Sequence, residues 1–147
     1  FEPNATLLAI SCGAFATGVL NVNNIRDIES DAKAGKRSIP VRIGRVWAVR
    51  YHWALLLLGI GCAVAFTLMN YHSAWQWLFL APAMLILRNG QAVATITDAR
   101  ALDPFLKQLA ISSLLFALAF GVGLAGDQKA PLHQRYLQNT ACIGQLG

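Results

Sequence analysis

The chain has 147 residues, 56% of them hydrophobic and 13% charged, with a net charge of +5 and a mean hydropathy of +0.48. Soluble domains carry charge on about a quarter of their residues. Here long uncharged runs alternate with short charged patches, which excludes an ordinary water-soluble domain and predicts an all-α, polytopic transmembrane bundle embedded in a lipid bilayer.

The chain begins at Phe1, with no charged n-region, short apolar core and cleavage site of a signal peptide. The expectation is a C-terminal fragment whose N-terminal half lies upstream. Four stretches reach or approach the roughly 20 apolar residues needed to cross a hydrocarbon core: 5–22, 47–69, 71–87 and 104–126. Asp103 before Pro104 reads as an N-cap followed by a proline at the first helical position. Residues 127–147 regain ordinary polarity and read as a poorly ordered external tail.

With four spans, the loops at 23–46 and 88–103 share one side. Ten of the twelve Lys and Arg residues lie there or in the adjoining helix ends, leaving Lys129 and Arg135 in the tail. The positive-inside rule places that side in the cytoplasm. Trp47, Tyr51 and Trp53 mark one interface; Tyr71, Trp75 and Trp77 mark the other. The bases stand beside apolar spans without an aromatic-interleaved basic patch, so no nucleic-acid partner is expected. Cys12, Cys62 and Cys142 form no C-x-x-C pair and suggest neither a disulfide framework nor a zinc site. His52 and His72 read as satisfied interfacial side chains, because no two His share ligand spacing. Gly13, Gly18, Gly59, Gly61, Gly121 and Gly123 fit close helix packing.

The chemistry concentrates in residues 21–40, "NVNNIRDIESDAKAGKRSIP". If the first helix continues past the membrane boundary, Asn24, Asp27 and Asp31 share one face, with Asn23 one turn before Asp27. Glu29 and Arg26 then point elsewhere. Two carboxylates at i, i+4 repel, more strongly beside a low-dielectric membrane, and Mg²⁺ would relieve the repulsion. Lys36, Arg37 and Arg42 follow as donors suited to phosphate oxygens. The bland alternative pairs Asp27 and Asp31 with Arg26 or Lys33 on a solvated face. Gly35 reads as a helix C-cap, with Pro40 preventing continuation.

The full string "NNIRDIESDAKAGKRSIPVRIG" closely resembles the second aspartate-rich motif of the UbiA-type membrane prenyltransferases. It is most like the branch acting on 1,4-dihydroxy-2-naphthoate in menaquinone biosynthesis. The matching positions are Asn23, Asn24, Arg26, Asp27, Asp31, Gly35, Lys36, Ser38, Val41, Arg42 and Gly44. "LDPFLKQLA" at the last span also resembles that branch. The family's first N/D-x-x-x-D motif has no match in this chain.

The resemblance implies a nine-helix bundle whose helices six to nine are the four spans here, in a multi-pass protein of a bacterial inner membrane. It implies transfer of a polyprenyl group from polyprenyl diphosphate to the naphthoate, with loss of diphosphate and CO₂. Asp27 and Asp31 would be metal ligands for Mg²⁺, helped by Asn23 and Asn24. Lys36, Arg37, Arg42 and Arg26 would bind substrate. Without the first motif, the chain alone is expected to be inactive. Two other readings are open: another aromatic acceptor, such as 4-hydroxybenzoate or homogentisate, or a non-catalytic membrane subunit or transporter fragment.

Overall fold

The computed structural model describes residues 3–71 and 73–127. In chain order the elements are α1 (Pro3–Arg26), α2 (Ile28–Lys33), α3 (Ile39–Met69), a 3₁₀ turn (Ala74–Trp77), α4 (Leu80–Thr95), a second 3₁₀ turn (Arg100–Leu102) and α5 (Asp103–Asp127). No strand occurs among the described residues. Four segments are long and apolar enough to cross a membrane: Thr6–Arg26, Ile39–Met69, Ala74–Thr95 and Arg100–Ala125. Four such spans are the pattern of an integral, multi-pass membrane protein. His72, Cys142, Lys129, Arg135 and the tail after Asp127 lie outside the described residues.

One span differs from the sequence reading. The third does not occupy 71–87; it is displaced toward the C-terminus and ends at Thr95. Arg88 does not terminate it, because Arg88 is exposed while Asn89, Gly90 and Val93 continue the buried face. Pro82 falls in the first turn of α4, where its missing N–H would have had no intrahelical acceptor. The second span runs as continuous helix from just after Gly44 to Met69, close to the expected 47–69, and a short helical lead-in from Ile39 precedes it. That lead-in is set at an angle by Gly44, whose φ of 78° and ψ of 162° are non-helical. That region is essentially restricted to glycine.

In lipid, apolar burial between helices gives little net drive, so van der Waals fit and polar ties select the partners. α1 packs most extensively on α3, and α5 packs on both α4 and α1. At the α1–α3 seam the Phe15 ring lies over Gly59, where an added Cβ would come within 2.7 Å of it. Ser11 donates to the Gly59 carbonyl at 2.7 Å, and Asn21 donates to the Ala48 carbonyl at 3.0 Å. Among the glycines read as packing sites, Gly59 and Gly123 face such close neighbours, whereas Gly13, Gly61 and Gly121 face open space. All four spans meet in an aromatic core. Phe79 and Phe15 contact Phe116 edge-on, and Phe66 contacts Phe120 in the same manner.

His52 is fully buried within the bundle, with Nε2 3.3 Å from the Asn89 Oδ1. Asn89 in turn donates to the Phe105 carbonyl at 2.6 Å, tying α3, α4 and α5 together. Trp47 and Trp75 are exposed as interface anchors should be, but Trp53 packs on Gly90 and Trp77 stacks near Phe79.

Gly44 and Gly61 provide an internal comparison. Gly44→Ala forces a Cβ onto a strained backbone and is expected to destabilise by about 1–3 kcal/mol. Gly61→Ala, exposed and within regular helix, should be neutral or stabilise by up to about 1 kcal/mol. Thermal unfolding of the two purified variants in the same detergent checks both directions.

Candidate functional site

The site is built at the end of the bundle where the α1–α3 and α4–α5 connections meet. α1 ends at Arg26, and Asp27 adopts φ −95°, ψ 11°, a local break between α1 and α2. The chain still turns helically through it, because the Asp27 N–H donates to the Asn23 carbonyl at 3.1 Å and the Asp31 N–H to the Asp27 carbonyl at 2.8 Å. α2 then closes in a Schellman motif. The Gly35 N–H bonds the Ala32 carbonyl and the Lys36 N–H bonds the Asp31 carbonyl, with Gly35 at φ 72°. The sequence reading of Gly35 as a stop is borne out. The same motif folds Lys36 back over the last turn, which brings Nζ within 3.0 Å of Asp31 Oδ2.

Arg26 is the hub. Its Nε donates to Asp27 Oδ1 at 2.8 Å and its Nη2 to Asp27 Oδ2 at 2.8 Å. Nη2 also donates to Asn23 Oδ1 at 3.0 Å, and Nη1 donates to Asp103 Oδ1 at 2.8 Å. Ideal helix geometry turns Arg26 away from the Asp27–Asp31 face, yet its guanidinium folds onto the neighbouring Asp27, while Asp31 pairs with Lys36. These hydrogen bonds hold the Asp27 carboxyl below the usual carboxylate range, so it is ionised at neutral pH. Asp103 is likewise not a capping acceptor. Its own φ and ψ are already helical, and its side chain is committed to Arg26.

A cleft of about 790 Å³ opens beside this hub. Arg26, Asp27, Glu29 and Lys33 line it from one connection, Arg45 from α3, and Asp98, Arg100 and Asp103 from the other connection. Arg45 donates to the Val93 carbonyl at 3.0 Å and also to the Ile96 carbonyl, closing the end of α4. A smaller groove of about 400 Å³ runs between α1 and α5, apolar along Ala16, Val19, Leu20 and Leu106, with Asn23 and Lys107 also on its walls.

The expected residues are therefore only partly gathered. Arg26 and Asp27 line the cleft, and Asn23 touches it through Arg26. Asp31 is buried but is not among its walls. Asn24 is half-buried, while Arg37 and Arg42 are exposed outside these pairings. Glu29, which spacing had set aside, lines the cleft. Both aspartates do have basic partners, as the bland reading held, but Asp31 pairs with Lys36 and not Lys33.

The donor set bears on Mg²⁺. No group of three or more His, Cys, Asp and Glu is placed to hold an ion among the described residues. Asp31 Oδ2 is buried without a hydrogen bond, although it lies 3.0 Å from the Lys36 ammonium. The carboxylates of Asp27 and Asp31 are hard oxygen donors suited to part of a magnesium shell, but here Arg26 and Lys36 hold them, and an ion would have to displace those bases. Sequence reasoning missed Asp103 and Arg45 as site-forming residues. The available signal was that both lie near the membrane boundary on the side holding ten of the twelve bases.

Residues 1–114 match the UbiA prenyltransferase family. The chain is 42% identical over 128 residues to the 1,4-dihydroxy-2-naphthoate octaprenyltransferase of Escherichia coli (strain K12), covering 87% of this chain and 42% of that protein. It is 38% identical over 123 residues to the protein of the same name from Haemophilus influenzae, covering 84% and 40%. Identity to the Mycobacterium tuberculosis protein of that name is 33% over 120 residues, covering 82% and 40%. The chain thus spans about two fifths of the length of these relatives. No solved structure matches it. On the family match and these identities, the chain belongs to the UbiA prenyltransferase family.

Proposed function

We propose that this chain is the C-terminal part of an enzyme that moves a polyprenyl group from polyprenyl diphosphate to 1,4-dihydroxy-2-naphthoate, releasing diphosphate and CO₂ and giving demethylmenaquinone. The observation that carries the reading is the 42% identity over 87% of the chain to an enzyme named for that acceptor. The geometry supports it, because a polyprenyl diphosphate needs a charged head site joined to an apolar track. Here the charged cleft and the apolar groove are linked through Asn23, which lines the groove and accepts from Arg26 of the cleft.

Asp27 and Asp31 would hold Mg²⁺, together with acids from an N-terminal half. When bound, Mg²⁺ would neutralise the diphosphate and make it a better leaving group. The chain's own residues would do the rest. Asp27 enters ionised because Arg26 keeps its carboxyl below the ordinary range. Lys33 and Arg100 are exposed on the cleft wall, and Lys36, Arg37 and Arg42 stand nearby in sequence as further cations for phosphate oxygens. Breaking the allylic C–O bond sends its electron pair to diphosphate. The electron-rich ring carbon bearing the carboxylate forms the new C–C bond, and the C–CO₂⁻ bond breaks to restore aromaticity. The apolar walls along Val19, Leu20 and Leu106 would keep water from the allylic cation. On the positive-inside rule this site would face the cytoplasm, and the proposed menaquinone reaction would place the protein in a bacterial inner membrane.

In the complete protein, Asp27→Ala or Asp31→Ala is expected to lower prenyl transfer by about 100-fold, the upper end for loss of a metal-supporting group. Chromatographic quantification of prenylated naphthol product at several Mg²⁺ concentrations checks it. Unchanged transfer together with unchanged Mg²⁺ dependence would favour a non-catalytic membrane subunit. Residues 1–147 expressed alone and reconstituted are expected to give no product; turnover by them would remove the need for a partner half-site. Product formed only from 4-hydroxybenzoate or homogentisate would reassign the acceptor and leave the mechanism standing.

A further inference from the structure

Arg26 holds both oxygens of Asp27, the carboxylate that the proposed reaction needs for Mg²⁺. A guanidinium paired with a single carboxylate forms a neutral, two-bonded unit that competes directly with a cation. Asp103 changes that balance. It accepts from Nη1 at 2.8 Å, across 77 positions of sequence, so the planar donor set is divided between two carboxylates and the unit carries a net negative charge. Asp103 is well placed to stay a carboxylate and to stay put. It stands in the first turn of α5, where the helix N-terminus favours an anion, and the next residue is Pro104, which restricts the backbone. Its side chain is 55% exposed, against 27% for Arg26, so it meets the guanidinium from the open side of the cleft.

We propose that Asp103 is a positioning residue for the prenyl transfer: it holds Arg26 from the α5 side, so that the guanidinium yields Asp27 to Mg²⁺ while remaining beside the diphosphate. This rests on the function proposed above. It differs from the plain alternative, in which Asp103 merely straps α5 to α1. A strap would affect stability; a positioning carboxylate sets metal affinity through Arg26.

The test uses the complete protein in nanodiscs, with Mn²⁺ binding followed by electron paramagnetic resonance and prenyl transfer followed by Mg²⁺ titration. Asp103→Asn keeps the shape and an acceptor but removes the charge. It is expected to weaken Mn²⁺ binding and raise the half-saturating Mg²⁺ concentration by about ten-fold, as loss of a partner to a metal-ligating group does. At saturating Mg²⁺, kcat should stay within about three-fold, since no group touching the reacting atoms is lost. Asp103→Glu should restore the affinity. In an Arg26→Gln background Asp103→Asn should add nothing, the signature of action through Arg26. Unchanged Mn²⁺ affinity in Asp103→Asn, or an undiminished loss without Arg26, overturns the proposal. If Asp103→Asn does not fold, Asp103→Ser serves instead. It also removes the charge facing Arg26, so Mn²⁺ affinity should fall similarly, and wild-type affinity there would overturn the proposal. Absence of prenyl transfer by the wild-type protein would overturn the function reading itself, which the Mn²⁺ measurements do not depend on.

Discussion

One side chain, Arg26, sets the arrangement at the charged end of the bundle. Its guanidinium reaches Asn23 on its own helix, Asp27 at the break that follows, and Asp103 at the start of the last span. An isolated surface ion pair contributes roughly 0–1 kcal/mol. This one differs in being a bidentate fork, about three-quarters shielded, and shared between two carboxylates. Its main consequence is geometric. It brings the α1–α2 junction and the α5 start to one cleft, although 77 residues separate Arg26 from Asp103. Arg45 does the complementary task by closing the end of α4 through the Val93 and Ile96 carbonyls.

Three backbone breaks lie at this same end. Asp27 interrupts the first helix, Gly35 ends α2 with a positive φ, and Gly44 angles the start of α3. Within lipid such breaks would leave backbone groups unsatisfied, so they are tolerated where they line protein or water. The turn at Gly35 also folds Lys36 back onto Asp31. The opposite half of the bundle has the contrary character. There Phe15, Phe66, Phe79, Phe116 and Phe120 interlock, and Ser11 and Thr67 satisfy their hydroxyls on backbone carbonyls. A regular, tightly fitted half thus supports an irregular, polar one.

Buried polar groups link the two halves. Asn21 bonds the Ala48 carbonyl, and His52 meets Asn89, which reaches the Phe105 carbonyl. Interhelical hydrogen bonds in membranes average only about 0.6 kcal/mol. Their value lies more in register than in energy, since an unmatched amide in this environment is costly. They align α3, α4 and α5 so that Arg45, Asp98 and Asp103 arrive at a common cleft.

The sequence by itself determined the helical membrane class, the four spans and their shared charged end, because apolar length and the distribution of bases are local, additive properties. It also carried the family, through the string from Asn23 to Gly44, and the stop at Gly35, whose positive φ depends on one residue type. It misjudged the limits of the third span, since Arg88 resembles a boundary until the buried face of Asn89, Gly90 and Val93 is seen to run past it. It also misplaced Arg26 and Asp103. Arg26 folds onto its sequence neighbour Asp27 and reaches Asp103 across 77 positions, and no spacing rule contains that long-range partner. Only the tertiary structure decided that Arg26 faces Asp27, that Asp31 turns to Lys36, and that Asp103 completes the hub. Those choices depend on which distant helix supplies the opposing charge, and that is settled by packing.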